Sequence, residues 1–73
     1  MAKKGGSAVY RVTQVIGTSS QSWEDATRNA VKTAAGTLRD LRIAEIEKLD
    51  VKIENGKVTQ YRARLALSFK YGG

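Results

Sequence analysis

From Ala8 to Ile16 the chain reads AVYRVTQVI, an alternating run rich in β-branched residues, with Tyr10, Val12 and Ile16 on one face and Arg11 and Thr13 on the other. This pattern predicts a first strand that GTSSQ brings to an end. Ser22 then precedes Trp23, Glu24 and Asp25. A serine followed three positions later by an acid marks a helix N-terminus, and both acids suit the positive end of the helix dipole. Towards Ala35, the residues Trp23, Ala26, Ala30 and Ala34 recur every three or four positions, leaving Glu24, Arg28 and Lys32 on the other side. The spacing predicts a helix lying close to a sheet along an alanine stripe, with the Trp23 indole as a core peg at its first turn.

Beyond Gly36 and Thr37, a second strand is predicted over Leu41–Ile53 and a third over Val58–Tyr71, joined by the turn ENGK. Asn55-Gly56 between two β-rich runs is a type I′ hairpin signal, since that turn needs positive φ at both central residues. Without a bulge, the turn sets Glu54 opposite Lys57, Ile53 opposite Val58, Leu49 opposite Arg62, Glu47 opposite Arg64 and Ile43 opposite Ser68. One face then carries Ala44, Ile46, Ala63, Leu65, Leu67 and Phe69, where the helix packs. The other carries Ile43, Glu45, Glu47, Leu49, Val51 and Ile53 with Gln60, Arg62, Arg64 and Ser68. Its apolar half lies beyond Glu47, where the core face turns polar at Lys48, Asp50 and Lys52, so a bend or bulge is expected near Glu47 and Lys48. One helix cannot cover both sides of such a hairpin, and a second subunit is expected to cover Leu49, Val51 and Ile53.

Size strengthens that expectation. The chain has 73 residues, and a domain this small buries only about 60% of the surface its unfolded form exposes. With neither cysteine nor histidine, disulfide staples and the usual zinc frameworks are excluded, and self-association is the common remaining source of burial. The expected organisation is a tail over 1–7, one α+β domain of β-α-β-β order over 8–71, and a tail over 72–73. MAKKGGSA has no apolar stretch behind its lysines, and no run of eighteen apolar residues occurs, so neither a signal peptide nor a transmembrane helix is expected and a cytoplasmic location follows.

Charge changes the picture less. Thirteen Lys and Arg against seven Asp and Glu leave a formal net charge of +6, which raises nucleic acid, a membrane surface or small anions as partners. The cations are spread over every element with acids between them and no run of five or six, the pattern of a solvated surface. An enzyme is not expected, because the available acids and bases reduce to carboxylates, Lys and Tyr without a local catalytic signature.

Taken together, IGTSSQSWEDA before the helix, TLRDLRIAEI leading the second strand and YRARLALSFKY in the third resemble the dodecins, over roughly residues 8 to 71. The resemblance rests on GTS at the end of the first strand, the Ser-aromatic-Glu-Asp-Ala helix start, the Thr-Leu-Arg that opens strand two and the Ala-Glu-hydrophobic step. It implies a three-stranded antiparallel sheet wrapped around one helix and assembled into a hollow homododecamer. It also implies a protein that stores or sequesters flavins, shielding them from photochemistry without turning over a substrate. In flavin-binding members an aromatic residue early in the second strand stacks on the isoalloxazine ring, and a Gln in the third hydrogen-bonds its polar edge. The resemblance puts Ile43 at the first position and Arg62 at the second, with Glu45 beside them in the pocket.

Both flavin contacts are therefore altered. An aromatic pair contributes about 0.5–1.5 kcal/mol beyond its buried area, and Arg62 offers no acceptor to a flavin imide N–H; its charge suits a phosphate or another anion better. Glu45 and Glu47, repeated around symmetry axes, are candidate ligands for a hard divalent cation such as Ca²⁺, and dodecin-like chains lacking the aromatic platform are regarded as calcium-associated. The plainer alternative is a cross-strand pairing of both carboxylates with Arg64. Three functional readings follow: a dodecin-like cage binding a small ligand or ion with flavin affinity weakened or lost, a genuine FMN or riboflavin store, and a basic nucleic-acid-binding module whose affinity falls steeply with salt.

Overall fold

The structure, a computed structural model, describes residues 9–70. The expected tails at 1–7 and 72–73, and the strand ends placed at Ala8 and Tyr71, lie outside the described residues. Four elements follow in the order expected: β1 (Tyr10–Ser19), α1 (Trp23–Ala35), β2 (Leu41–Glu54) and β3 (Lys57–Lys70). The first strand does not stop at Ile16 but runs on through Gly17-Thr18-Ser19, paired with Ala63, Arg62 and Tyr61 of β3. Both sheet neighbours are antiparallel, and β3 is central in the order β1-β3-β2. Ser22 caps α1 in extended backbone conformation and accepts a hydrogen bond from the Asp25 N–H at 3.0 Å. Asn55 (φ 52°) and Gly56 (φ 75°) adopt the left-handed conformation that the hairpin turn needs. Among the described residues no helix is long and apolar enough to cross a membrane.

The hairpin register departs from the simple expectation at its centre. Ile53 meets Val58 and Ile43 meets Ser68 as expected, but Thr59 on β3 and Glu47 on β2 each lack a cross-strand partner. These two bulges cancel, so the stretch between them is displaced: Lys48 pairs with Arg64, Leu49 with Ala63, Asp50 with Arg62 and Val51 with Tyr61; a third irregularity skips Arg42 at the start of β2, so Leu41 meets Phe69. A one-residue slip reverses every side chain. Leu49 and Val51 therefore join Ala44 and Ile46 on the helix side, and Leu49 does not face Arg62. The expected bulge at Glu47 exists; its effect is to carry one apolar stripe along one face, not to leave two.

On β1 the residues that meet the helix are Val15 and Gly17, while Tyr10, Val12 and Ile16 stay exposed on the outward side. Gly17 lets the helix approach closely: an added Cβ would lie 2.7 Å from the Ala30 Cβ. Ala26, Ala30 and Ala34 pack there with Ala63, Leu65 and Leu67 to form the core, flanked by Val15, Val31, Leu38 and Leu41. Among the described residues only Leu65 and Leu67 are large and fully buried.

This core is small because the elements differ in length. A 13-residue helix spans about 20 Å, whereas a 14-residue strand spans about 46 Å. The helix covers less than half of the hairpin. The radius of gyration is 15.5 Å, against roughly 11 Å for a compact chain of this length. Ile46 (51% exposed) and Leu49 (47%) share the helix-side face and remain open to solvent beyond its reach.

Candidate functional site

The outward face of the sheet carries most of the residues singled out from the sequence. Ile43 is 60% exposed. Its row runs Val12, Ser68, Ile43 across the three strands, and the next row runs Gln14, Ala66, Glu45. On β3 these rows carry the small side chains of Ser68 and Ala66, between the longer ones of β1 and β2. Across β3 the Gln14 Nε2–H donates to Glu47 Oε1 at 2.9 Å. Glu47 thus does not pair with Arg64: the bulge removes it from that register, and Lys48 stands opposite Arg64 instead. Glu45 faces Ala66 and makes no ion pair among the described residues. Within one chain no group of three or more metal-binding side chains occurs among the described residues, so Glu45 and Glu47 would need donors from further copies to hold a cation.

Arg62 shares this face with Ile43 but sits six residues away along β3, about 20 Å. A single small ligand touching both would have to draw them from different chains. Nor is the guanidinium free: Arg62 donates through Nε to Asp50 Oδ1 at 2.7 Å and through a terminal nitrogen to Oδ2 at 3.1 Å. These hydrogen bonds, with the charges of Arg62 and Arg64 adding, hold the Asp50 carboxyl below its usual range against some desolvation. The same hydrogen bonds and charge raise Arg62 further. Composition alone gave no sign of this pair, because it exists only in the displaced register.

Trp23 is not the core peg expected from its size. It remains 39% exposed and stands edge-on to Tyr61, with ring centroids 5.3 Å apart and an interplanar angle of 78°. Its indole N–H donates to the Asp50 carbonyl oxygen at 3.0 Å, which ties the first helical turn to β2. Trp23, Tyr61, Ile46 and Leu49 wall an open cleft of ≈ 620 Å³, with Gln21, Thr27 and Arg28 at its rim. The cleft lies on the opposite side of the sheet from Ile43, so Trp23 cannot replace the missing stacking ring within one chain. Behind the helix start, the Ser19 hydroxyl donates to Asp25 Oδ2 at 2.7 Å and accepts from the Gln21 N–H at 2.9 Å. Asn29 Nδ2–H donates to the Thr18 carbonyl at 3.1 Å. These bonds fix the β1–α1 corner, which gives the Gly-Thr-Ser step a structural use.

Comparison with known proteins agrees with this architecture. The dodecin family model matches residues 9–72. A relative from Mycobacterium tuberculosis, described as calcium dodecin, is 42% identical over 64 residues, which cover 86% of this chain and 89% of that protein. The solved dodecin of Streptomyces coelicolor superimposes with a TM-score of 0.87 at 38% identity, covering 94% of this chain and 99% of that one. The solved M. tuberculosis calcium dodecin, described as calcium-chelating with a novel calcium-binding site, gives a TM-score of 0.77 at 41% identity, covering 85% and 89%. With its β-α-β-β order and central third strand, the chain belongs to the dodecin family.

Proposed function

We propose that this protein is a non-enzymatic, self-associating dodecin that holds a small ligand or ion, with flavin stacking weakened and Ca²⁺ the favoured occupant of sites built from Glu45 and Glu47 of several copies. The observation that carries this reading is the outward sheet face, where an aliphatic Ile43 takes the place of a stacking ring and a carboxylate, Glu45, stands on the same face without an ion-pair partner among the described residues. Carboxylate oxygens suit a hard divalent cation, and a relative 42% identical is described as a calcium dodecin. Self-association is supported by the uncovered apolar walls of the Trp23 cleft on one side and by Val12, Ile16 and Ile43 on the other. A cytoplasmic, flavin-poor cage is the resulting picture.

Two titrations of the assembled protein test it. Calcium binding followed calorimetrically is expected to be measurable and to weaken about tenfold or more in Glu45→Gln. Added FMN or riboflavin is expected to lose little fluorescence. Stoichiometric, tight quenching with no calcium uptake would restore the flavin-storage reading.

A further inference from the structure

Four cations lie together on the outward face of the displaced stretch: Lys48, Lys52, Arg62 and Arg64. Two have partners. Arg62 holds Asp50 in a two-bonded pair, and Lys52 Nζ lies 3.8 Å from Glu54. Lys48 and Arg64 stand directly opposite each other in the ladder, and neither makes an ion pair among the described residues. Like charges in that position repel. The nearest carboxylates relieve them only in part: Glu47 is held by Gln14, Asp50 feels the Arg64 charge but is hydrogen-bonded by Arg62, and Glu45 belongs to the next row, opposite Ala66.

The same row ends on β1 at Ile16, and Gln14, Val15, Ile16 and Arg64 line a shallow cleft of ≈ 460 Å³. One wall is thus apolar. The other offers a planar guanidinium, with the Lys48 ammonium across the ladder and the Gln14 amide, whose second N–H is not used in the bond to Glu47, alongside. A phosphate dianion matches this set, because guanidinium and ammonium donors bind phosphate oxygens through charge-assisted hydrogen bonds. An apolar wall beside the Arg64 guanidinium, with Lys48 as a second cation one strand further on, suits a phosphate that carries an organic group more than free phosphate.

We infer that Lys48 and Arg64 form an anion site for phosphate monoesters on the outward face, separate from the carboxylates proposed to hold calcium. A nucleic-acid backbone is the less favoured occupant, since the closed Asp50–Arg62 and Lys52–Glu54 pairs interrupt the basic surface after one row.

The test uses the assembled full-length protein at low ionic strength. Inorganic phosphate and glycerol phosphate are titrated by calorimetry against the wild type, Lys48→Gln, Arg64→Gln and a control, Lys32→Gln, on the exposed side of the helix. All four keep their far-UV spectrum if folded. The expected result is binding of both probes, tighter for glycerol phosphate, weakened about fivefold or more by Lys48→Gln and by Arg64→Gln and unchanged by Lys32→Gln. Equal loss in the Lys32→Gln control would overturn the site in favour of diffuse charge attraction. Absence of binding in the wild type would overturn it outright, and so would tight binding of a short single-stranded oligonucleotide without binding of either small probe. Calcium binding is followed in the same variants; its persistence in Arg64→Gln separates failure of this site from failure of the carboxylate site.

Discussion

Replacing Gly17 by alanine tests how the sheet and helix are held together. The new Cβ would sit 2.7 Å from the Ala30 Cβ and 3.1 Å from the Ala26 carbonyl carbon, whereas carbon atoms pack comfortably at about 3.5–4.0 Å. Neither obstacle can rotate away, because one is a methyl fixed to the helix backbone and the other is the backbone itself. The helix must therefore retreat by about 1 Å along the stripe where Ala26, Ala30 and Ala34 are buried. Overpacking costs about 1–3 kcal/mol and occasionally more, and the absence of rotamer relief places this case near 3 kcal/mol. With a urea slope of about 1–3 kcal/mol per molar, the unfolding midpoint is expected to fall by roughly 1–2 M. The comparison variant is Gly36→Ala, at a right-handed φ of −69° with its nearest obstacle 3.3 Å away at the Thr33 carbonyl oxygen; it is expected to shift stability by less than about 1 kcal/mol. Urea titrations followed by Trp23 fluorescence, at one fixed chain concentration because assembly and folding are linked, give both numbers. Equal midpoints for the two variants would refute the close-approach account of Gly17.

Other expectations follow from single features. Ser22→Ala removes the acceptor of the Asp25 N–H and is expected to cost about 1 kcal/mol in the same titration. Gly56→Ala, at φ 75° with open space around it, is expected to destabilise by about 1 kcal/mol through backbone strain alone. The Asp50 carboxyl is held below its usual range in the folded chain, so its stabilising contribution is complete above about pH 4 and is lost as the pH falls through the lowered folded value. Asp50→Asn should flatten that acid limb in a titration of unfolding midpoint against pH, while Arg62 stays charged throughout. Leu49→Lys puts a charge in the wall of the Trp23 cleft and is expected to lower the assembled mass measured by sedimentation without loss of the monomer fold.

The elements were legible because each has a local cause. Alternation marks β1, the alanine stripe and Ser22 mark α1, and Asn55-Gly56 pins the hairpin. The polarity switch at Glu47 exposed one bulge, but its compensating partner at Thr59 left no trace in the pattern. That is why Leu49 appeared to oppose Arg62 and why the Asp50–Arg62 pair was missed. Trp23 was misplaced for a different reason. Its size and helical phase both point inward, yet it stands at the end of a short helix over a long hairpin, where there is too little protein to enclose it. The lengths of α1 and β2, both readable from sequence, carried that information. On the candidate site, Ile43, Glu45 and Arg62 do share a face, but their distance along the strand and the Gln14–Glu47 hydrogen bond depend on how β1 and β2 flank β3.

The central claim is that copies of this chain cover the apolar surface that its own helix cannot reach. Sedimentation equilibrium of the wild-type protein at micromolar concentration measures it directly. A single dodecameric species is the expected result, with Trp23 emission shifted to the blue relative to Leu49→Lys. A folded species sedimenting at the mass of one chain, 8.0 kDa, would contradict the account.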